Sequence, residues 1–419
     1  MASPQSGVGT KKPISMRRRL FSMNDHFEKY SQKLLRDRTA VPESIRFYRL
    51  DDVVTTSRND EWLHVFTEVF KELNITALLF ARMSLPFADL LVERADPHDD
   101  KLVPKDSETK VFLHDIPFIR AREWAGKPNV DLAPMIARCL RDRKAVILQN
   151  LGVVSTGGVT VEQAYIGFST VFHTTFVKYL LDLLREGFCL PAEQQHVQAF
   201  KRSWLRIPDH HDIQFMPGLL IDRETIMKEI CAVGRYTVEK GYVDSFFGNI
   251  SYFDGKTIYI SQTASSLDEL EGHIDPVPLD NSSTAGLSAS SELPAHRGIY
   301  ISSDYHAVLH GHPKFSVIMS MLCAEENCTI EDCNRLCNRK RSVNSIPIVA
   351  GETGAGGLAR SVPVAIKETG VCIAYGHGIF SAGKVSFKEA FMKMARAEDL
   401  CRDGYFDLLQ KAAACRKDR

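Results

Sequence analysis

The chain contains part of itself twice. Residues 149–165, QNLGVVSTGGVTVEQAY, align without a gap under residues 375–391, YGHGIFSAGKVSFKEAF. Gly152 falls with Gly378, Ser155 with Ser381, Gly157 with Gly383, Val159 with Val385 and Ala164 with Ala390. An apolar stretch of helical period follows in both copies. Upstream, IPFI (116–119) matches IPIV (346–349), and ALLFARMSLPF (77–87) lies under AVLHGHPKFSV (307–317). A repeat of this extent requires one architecture to serve two divergent sequences. The second copy reads as helix 223–240 stopped by Gly241, hairpin 250–260 turning at Asp254-Gly255, and helix 292–302. Strand 306–310, helix 315–322, strands 371–375 and 378–383, and a long helix over 386–409 follow. Alternating strands and helices indicate an α/β fold.

The copies differ where chemistry is expected. His310 and His312 end an apolar run, and His377 follows another. On a strand, side chains at i and i+2 share a face, so His310 and His312 can converge on one ion. A third imidazole from a neighbouring strand gives three nitrogens and an open position, the ligand set of a catalytic zinc. The first copy has Phe80, Arg82 and Leu151 at those positions. It is expected to be structural or regulatory, and to lack the early part of the unit that spans 223–300 in the second copy.

A length of 419 residues implies two or three domains. The expected division is a basic disordered tail (1–40), a degenerate repeat (41–188), a linker (189–222) and a catalytic domain (223–419). The first 24 residues carry no acid and no apolar core, which excludes a secretory signal and leaves a transit peptide as the alternative to a tail. The linker holds Pro208, Pro217 and the cluster Asp209-His210-His211-Asp212, and reads as loop with one short helix. Its two histidines are expected to be exposed and to point apart. Basic and acidic residues number 52 each, so no net field directs the chain to nucleic acid or membrane, and no apolar run spans a bilayer. Ten cysteines without a secretory signal indicate reduced thiols and a cytoplasmic setting. Cys323, Cys328, Cys333 and Cys337 crowd the segment 323–337 without a CxxC pair. They read either as reduced thiols of an insertion or as a second metal site, a structural zinc ahead of an iron–sulfur cluster.

Three polar motifs precede the histidines: Gly248-Asn249-Ile250-Ser251, the turn Gln262-Thr263-Ala264, and Ser290-Ser291-Glu292 at a helix start. Each alone is explained by capping, and each alone also suits an anion. In this order, with H-x-H and then His377-Gly378, the array resembles the class II aldolase/adducin family over about residues 223–409. The resemblance implies a three-layer sheet flanked by helices, present twice with a partial first copy. It implies zinc or another divalent ion on His310, His312 and His377, and Glu292 as acid/base. Asn249, Thr263, Ser290 and Ser291 would hold the phosphate of a small phosphorylated substrate. The implied activity is a lyase acting through an enediolate, whose charge a divalent ion stabilises while a carboxylate moves the proton. A 4-epimerase, a dehydratase, or a non-catalytic adducin-like module are the alternatives. Family sites lie between subunits of a homo-oligomer, so the first copy is expected to stand where a neighbouring subunit would. Gln262 and Ala264 depart from the family's proline and glycine, and Tyr405, inside the last helix, is given no role.

Overall fold

The computed structural model describes residues 23–417, apart from 127–131, 245, 281, 283, 324, 326–327, 331, 338 and 352–354. The first copy runs α1 (Met23–Arg36), β1 (Arg46–Leu50), β2 (Val54–Thr56), α2 (Trp62–Glu72), β3 (Ala77–Ala81), α3 (Phe87–Arg94), β4 (Lys101–Leu102), α4 (Ser107–Leu113), β5 (Ile116–Ile119), α5 (Ala121–Trp124), α6 (Leu132–Leu140), β6 (Ala145–Leu148), β7 (Gly152–Gly157) and α7 (Val161–Glu186). The connection carries α8 (Glu193–Ala199). The second copy runs α9 (Arg223–Glu239), β8 (Asn249–Phe253), β9 (Thr257–Ser261), β10 (Ile274–Pro278), α10 (Leu293–Ser302), β11 (Ala307–Gly311), α11 (Lys314–Ser320), α12 (Cys333–Leu336), β12 (Arg341–Val343), β13 (Ile346–Val349), α13 (Ala355–Thr369), β14 (Val371–Ala374), β15 (Gly378–Gly383) and α14 (Phe387–Lys417).

The two sheets have the same topology. The first is ordered β2-β1-β3-β7-β6-β5-β4, and the second is β9-β8-β11-β15-β14-β13-β12 with β10 added at the β9 edge. Among the described residues, the one parallel pair of each sheet is at the same place, β5 with β6 and β13 with β14. Registers agree as well: Phe80 faces Val154 across β3 and β7, and His310 faces Phe380 across β11 and β15. The shared glycines have a steric cause. A Cβ on Gly152 would lie 2.5 Å from the Ala81 carbonyl oxygen, and one on Gly378 would lie 2.3 Å from that of Gly311. A Cβ on Gly157 or Gly383 would likewise strike the carbonyl of Thr160 or Ser386, where the chain turns into α7 or α14.

Period-2 alternation on each sheet sends residues to two faces. On the outer faces, Phe80 and Val154 pack under α2 and α6, while Val308 and Phe380 pack under α10 and α13. The inner faces, with Leu79 and Val153 on one sheet and Leu309 and Ile379 on the other, join one continuous core. Helix α7 lies at its centre. It is capped by a reciprocal Thr160–Gln163 box and ends at Gly187 in a positive-φ conformation. Its Phe176 meets Phe315 edge to face at 5.8 Å, and Tyr405 of α14 donates to the Leu180 carbonyl at 2.9 Å. The copies thus form a pseudo-dimer sharing a core. No helix of the described residues is long and apolar enough to cross a membrane.

Several expectations are corrected here. Residues 23–36 are not part of a disordered tail but helix α1, whose Phe27, Tyr30 and Leu34 enter the shared core; residues 1–22 lie outside the described residues. Nor does the first copy lack the early part of the unit. Helix α1 and hairpin β1–β2 occupy the places of α9 and β8–β9, while β10 has no counterpart among the described residues. The connection holds α8 continued by a π-helical turn (Phe200–Trp204), not one short helix. His210 is not free: its Nε2 lies 2.6 Å from the Tyr242 hydroxyl, and its ring meets Phe391 edge on. His211 is exposed, as expected.

Helix α1 is also tied to the second copy by charge. Lys33 lies 2.8 Å from Asp268 and 2.9 Å from Glu269, Arg36 is 2.6 Å from Asp268, and Lys29 is 2.6 Å from Glu269. Burial alone would raise the Asp268 carboxyl, but Lys33, Ser266 and Arg36 overcome it and bring the pKa down to about 2. Between about pH 4 and 2 the unfolded chain therefore binds more protons than the folded one, and stability falls as pH falls. The interaction contributes about 2 kcal/mol at neutral pH. In urea titrations at pH 5 and pH 3, Asp268→Asn should lose less stability on acidification than the wild type. Equal losses would show that Asp268 does not titrate in this window.

Candidate metal centre

Strand β11 delivers His310, and His312 stands just beyond its end. His377 lies in the turn between β14 and β15, brought alongside by the antiparallel β11–β15 pairing. Nε2 of His310 and Nε2 of His312 are 2.9 Å apart. Nε2 of His377 is 3.1 Å from one oxygen of Glu292, and Nε2 of His310 is 3.4 Å from the other. One ligand nitrogen from each of the three imidazoles falls within 4.8 Å of the others, the only such group of histidine, cysteine or carboxylate donors among the described residues. All three rings are buried. Their packing is aromatic: Phe380 stacks on His310 at 4.0 Å and Phe247 on His312 at 5.9 Å. Gly378 makes room for them, since a Cβ there would lie 2.7 Å from Cδ2 of His312.

The protonation states suit a cation. Nδ1 of His310 lies 2.9 Å from the Ile379 carbonyl oxygen, which can only accept. The proton is therefore on Nδ1, and Nε2 presents a lone pair to the centre. Burial pushes His310 down to about 4 and His312 well below the usual range. Both are neutral at pH 7, the form in which imidazole ligates a metal. His377 moves the other way: burial opposes its charge, but Glu292, Glu108 and Asp106 raise it. Burial likewise would raise Glu292, yet His310, His377 and Asn249 hold its carboxyl well below the ordinary carboxylate range. In the first copy the equivalent space is filled, with Phe80 4.6 Å from Trp62 and 5.5 Å from Phe66. Arg82 is exposed and donates to the Asn150 carbonyl, so it does not reach the centre.

Glu292 precedes α10 and is buried. Asn249 donates from Nδ2 to Glu292 at 2.8 Å, while its buried Oδ1 has no hydrogen-bond partner. The Thr263 hydroxyl donates to the Ala289 carbonyl, and the Ser290 hydroxyl accepts from the Glu292 amide. Ser291 is exposed. Ala264 adopts φ 58°, a left-handed conformation that a glycine takes more readily. Tyr405 is buried against α7, away from the histidines.

Ser251, of the first polar motif, belongs to a set of polar groups around the centre whose other members carry little or no sequence signal. Ser251 Oγ lies 2.6 Å from Nδ1 of His296 and 2.7 Å from the Tyr300 hydroxyl. His296 follows Glu292 by one helical turn, which is a weak cue. Asp244, partly buried, sits between His173 of the first copy (3.0 Å) and Lys314 (3.3 Å). Ser107 and Glu108 of the first copy abut His377, at 3.3 and 3.8 Å from Nδ1.

The second metal site suggested by the cysteines is not assembled. Cys323 is exposed, Cys328, Cys333 and Cys337 are partly buried, and all are free thiols. Burial, then the neighbouring Cys337, Cys328 and Cys323, raise the Cys333 thiol, so the four lie near one another. No three of them approach to shared-ligand distance. Helix α12 begins at Cys333 and fixes it one turn from Cys337, while Cys323 and Cys328 lie on irregular chain before it.

Residues 228–404 match the family described as class II aldolase and adducin N-terminal domain. An L-fuculose phosphate aldolase of Methanococcus maripaludis strain S2 is 27% identical over 180 residues, covering 43% of this chain and 96% of the relative. The same enzyme from strain C7 is 28% identical over 169 residues, covering 40% and 89%. The L-fuculose-1-phosphate aldolase structure from Thermus thermophilus is 22% identical, with a TM-score of 0.37, and covers 46% of this chain and 98% of that one.

Proposed function

Given that residues 228–404 are a class II aldolase and adducin family domain, we propose that the chain is a metal-dependent lyase making or breaking a carbon–carbon bond in a small phosphorylated hydroxy-ketone. The observation that carries this is the convergence of His310, His312 and His377 with Glu292. Three buried imidazoles, His310 and His312 held neutral, fit a divalent ion such as zinc. When bound, such an ion supplies Lewis acidity to an enediolate's developing charge.

The chain's own groups do the rest. Glu292 is a carboxylate at neutral pH and takes the proton at the reacting carbon or hydroxyl, then returns it. Asn249 orients that carboxylate through Nδ2, and its unpaired Oδ1 is free to accept from a substrate hydroxyl. Thr263, Ser290 and Ser291, at the end of the β8–β9 hairpin and before α10, hold the phosphate with their hydroxyls, Thr263 by exchanging its bond to the Ala289 carbonyl.

Elemental analysis tests the metal reading. The wild type should carry about one divalent ion per chain, and His310→Ala/His312→Ala should carry none at these residues while keeping its helical content. Unchanged metal in that double variant, with the four clustered cysteines also replaced, would overturn the assignment. A screen of phosphorylated ketoses, with products identified, then separates carbon–carbon cleavage from epimerisation and dehydration.

A further inference from the structure

The first copy holds no ligand, yet it touches the centre of the second. In the second copy β12 turns into β13 through Asn344 and Ser345 alone. In the first, the equivalent connection, residues 103–115, carries the extra helix α4. This insertion crosses to the other copy. The Ser107 amide donates to the Gly376 carbonyl at 2.7 Å, and its hydroxyl donates to the same oxygen at 3.0 Å. The hydroxyl oxygen also lies 3.3 Å from Nδ1 of His377, and a Glu108 carboxylate oxygen lies 3.8 Å from that nitrogen. Asp106 fixes the segment from within, accepting from the Thr109 amide at 2.9 Å and hydroxyl at 2.7 Å.

The contact falls on the atom that controls the ligand. His377 turns Nε2 toward Glu292 and the other imidazoles, so its orientation depends on what Nδ1 bonds. For His310 that support is local, the Ile379 carbonyl. For His377 it comes from a hydroxyl and a carboxylate about 270 residues earlier in the chain. Carboxylate or hydroxyl support behind a ligating imidazole sets its tautomer and raises its basicity. We propose that the degenerate copy serves the live one as the outer wall of its metal centre, with Ser107 and Glu108 as positioning residues for His377. This rests on the reading that the three histidines bind a divalent ion.

The test uses the full chain and zinc alone, with affinity read by chelator competition and the absorption of the cobalt-substituted protein as a second readout. Ser107→Ala and Glu108→Gln should each weaken zinc binding by about tenfold to a hundredfold and shift the cobalt bands. Glu108→Asp should recover part of the loss, and the exposed Lys110→Gln should behave as wild type. Melting of the metal-free proteins should be unchanged, which a merely structural role for α4 would not give. Wild-type affinity in both variants overturns the inference and leaves the metal reading standing. Affinity losses matched by lower melting of the metal-free variants also overturn it, assigning α4 to packing. A wild type that binds no zinc or cobalt overturns the metal reading itself and the inference with it.

Discussion

Glu292→Gln should bind metal as the wild type does and lose about a hundredfold to ten-thousandfold in turnover, the usual range for removing a general acid/base. The substitution keeps the side chain's shape and its bond from Asn249, because an amide oxygen can accept where the carboxylate did. What it removes is the ability to take up a proton. The carboxylate also lies 3.1 Å from Nε2 of His377, a charge-assisted contact that the amide weakens. A bound ion would compete with that contact for the imidazole nitrogen. The variant should therefore bind zinc at least as tightly as the wild type while its turnover collapses. Near-normal turnover on the substrate found by screening would retire the role, and loss of zinc would recast Glu292 as a ligand.

The second large effect concerns the division of the chain. Residues 217–419 expressed alone should be insoluble or inactive, although they contain every proposed ligand. Removing the first copy uncovers the inner faces of α11 and α14, where Phe315 and Tyr405 now pack on α7. Each large apolar side chain returned to water costs about 1.5–3 kcal/mol. Five of them would consume a margin of about 5–15 kcal/mol. Arg185 of α7 also donates to the Met321 carbonyl, a bond the fragment cannot replace. Circular dichroism and size-exclusion chromatography of the fragment decide the matter. A well-folded monomer with full activity would show that the first copy is an independent appendage.

The second copy is legible in the sequence because its signals are local. An i, i+2 histidine pair on an apolar run, a glycine that ends a helix and an Asp-Gly turn each need only a few neighbours to be read. The repeat extends this to β3, β5 and β7, where glycines and apolar runs survive. It fails at β1 and β2, whose hairpin keeps none of the second copy's motif residues and whose β2 is three residues long. Helix α1 was within reach: Phe27, Tyr30 and Leu34 recur at helical spacing, but the basic, acid-free stretch before them masks the pattern. Ser107, Glu108 and His173 are illegible for a different reason. Their partners lie in the other copy, and nothing local to α4 or α7 distinguishes a side chain aimed across an interface from one facing its own core. The cysteines show the converse: of the two readings their density leaves open, the reduced-thiol one fits, since no three of them reach shared-ligand distance.

Helix α4 reaching His377 changes how the site responds to dilution. A centre completed by a separate subunit is lost by mass action once the protein concentration drops below the dissociation constant. If Ser107 and Glu108 position His377 as proposed, they are tethered to it through a shared core, at an effective concentration that no dilution alters. Zinc affinity should therefore be independent of protein concentration. One chain with two sheets would then supply what a pair of separate chains supplies only by meeting.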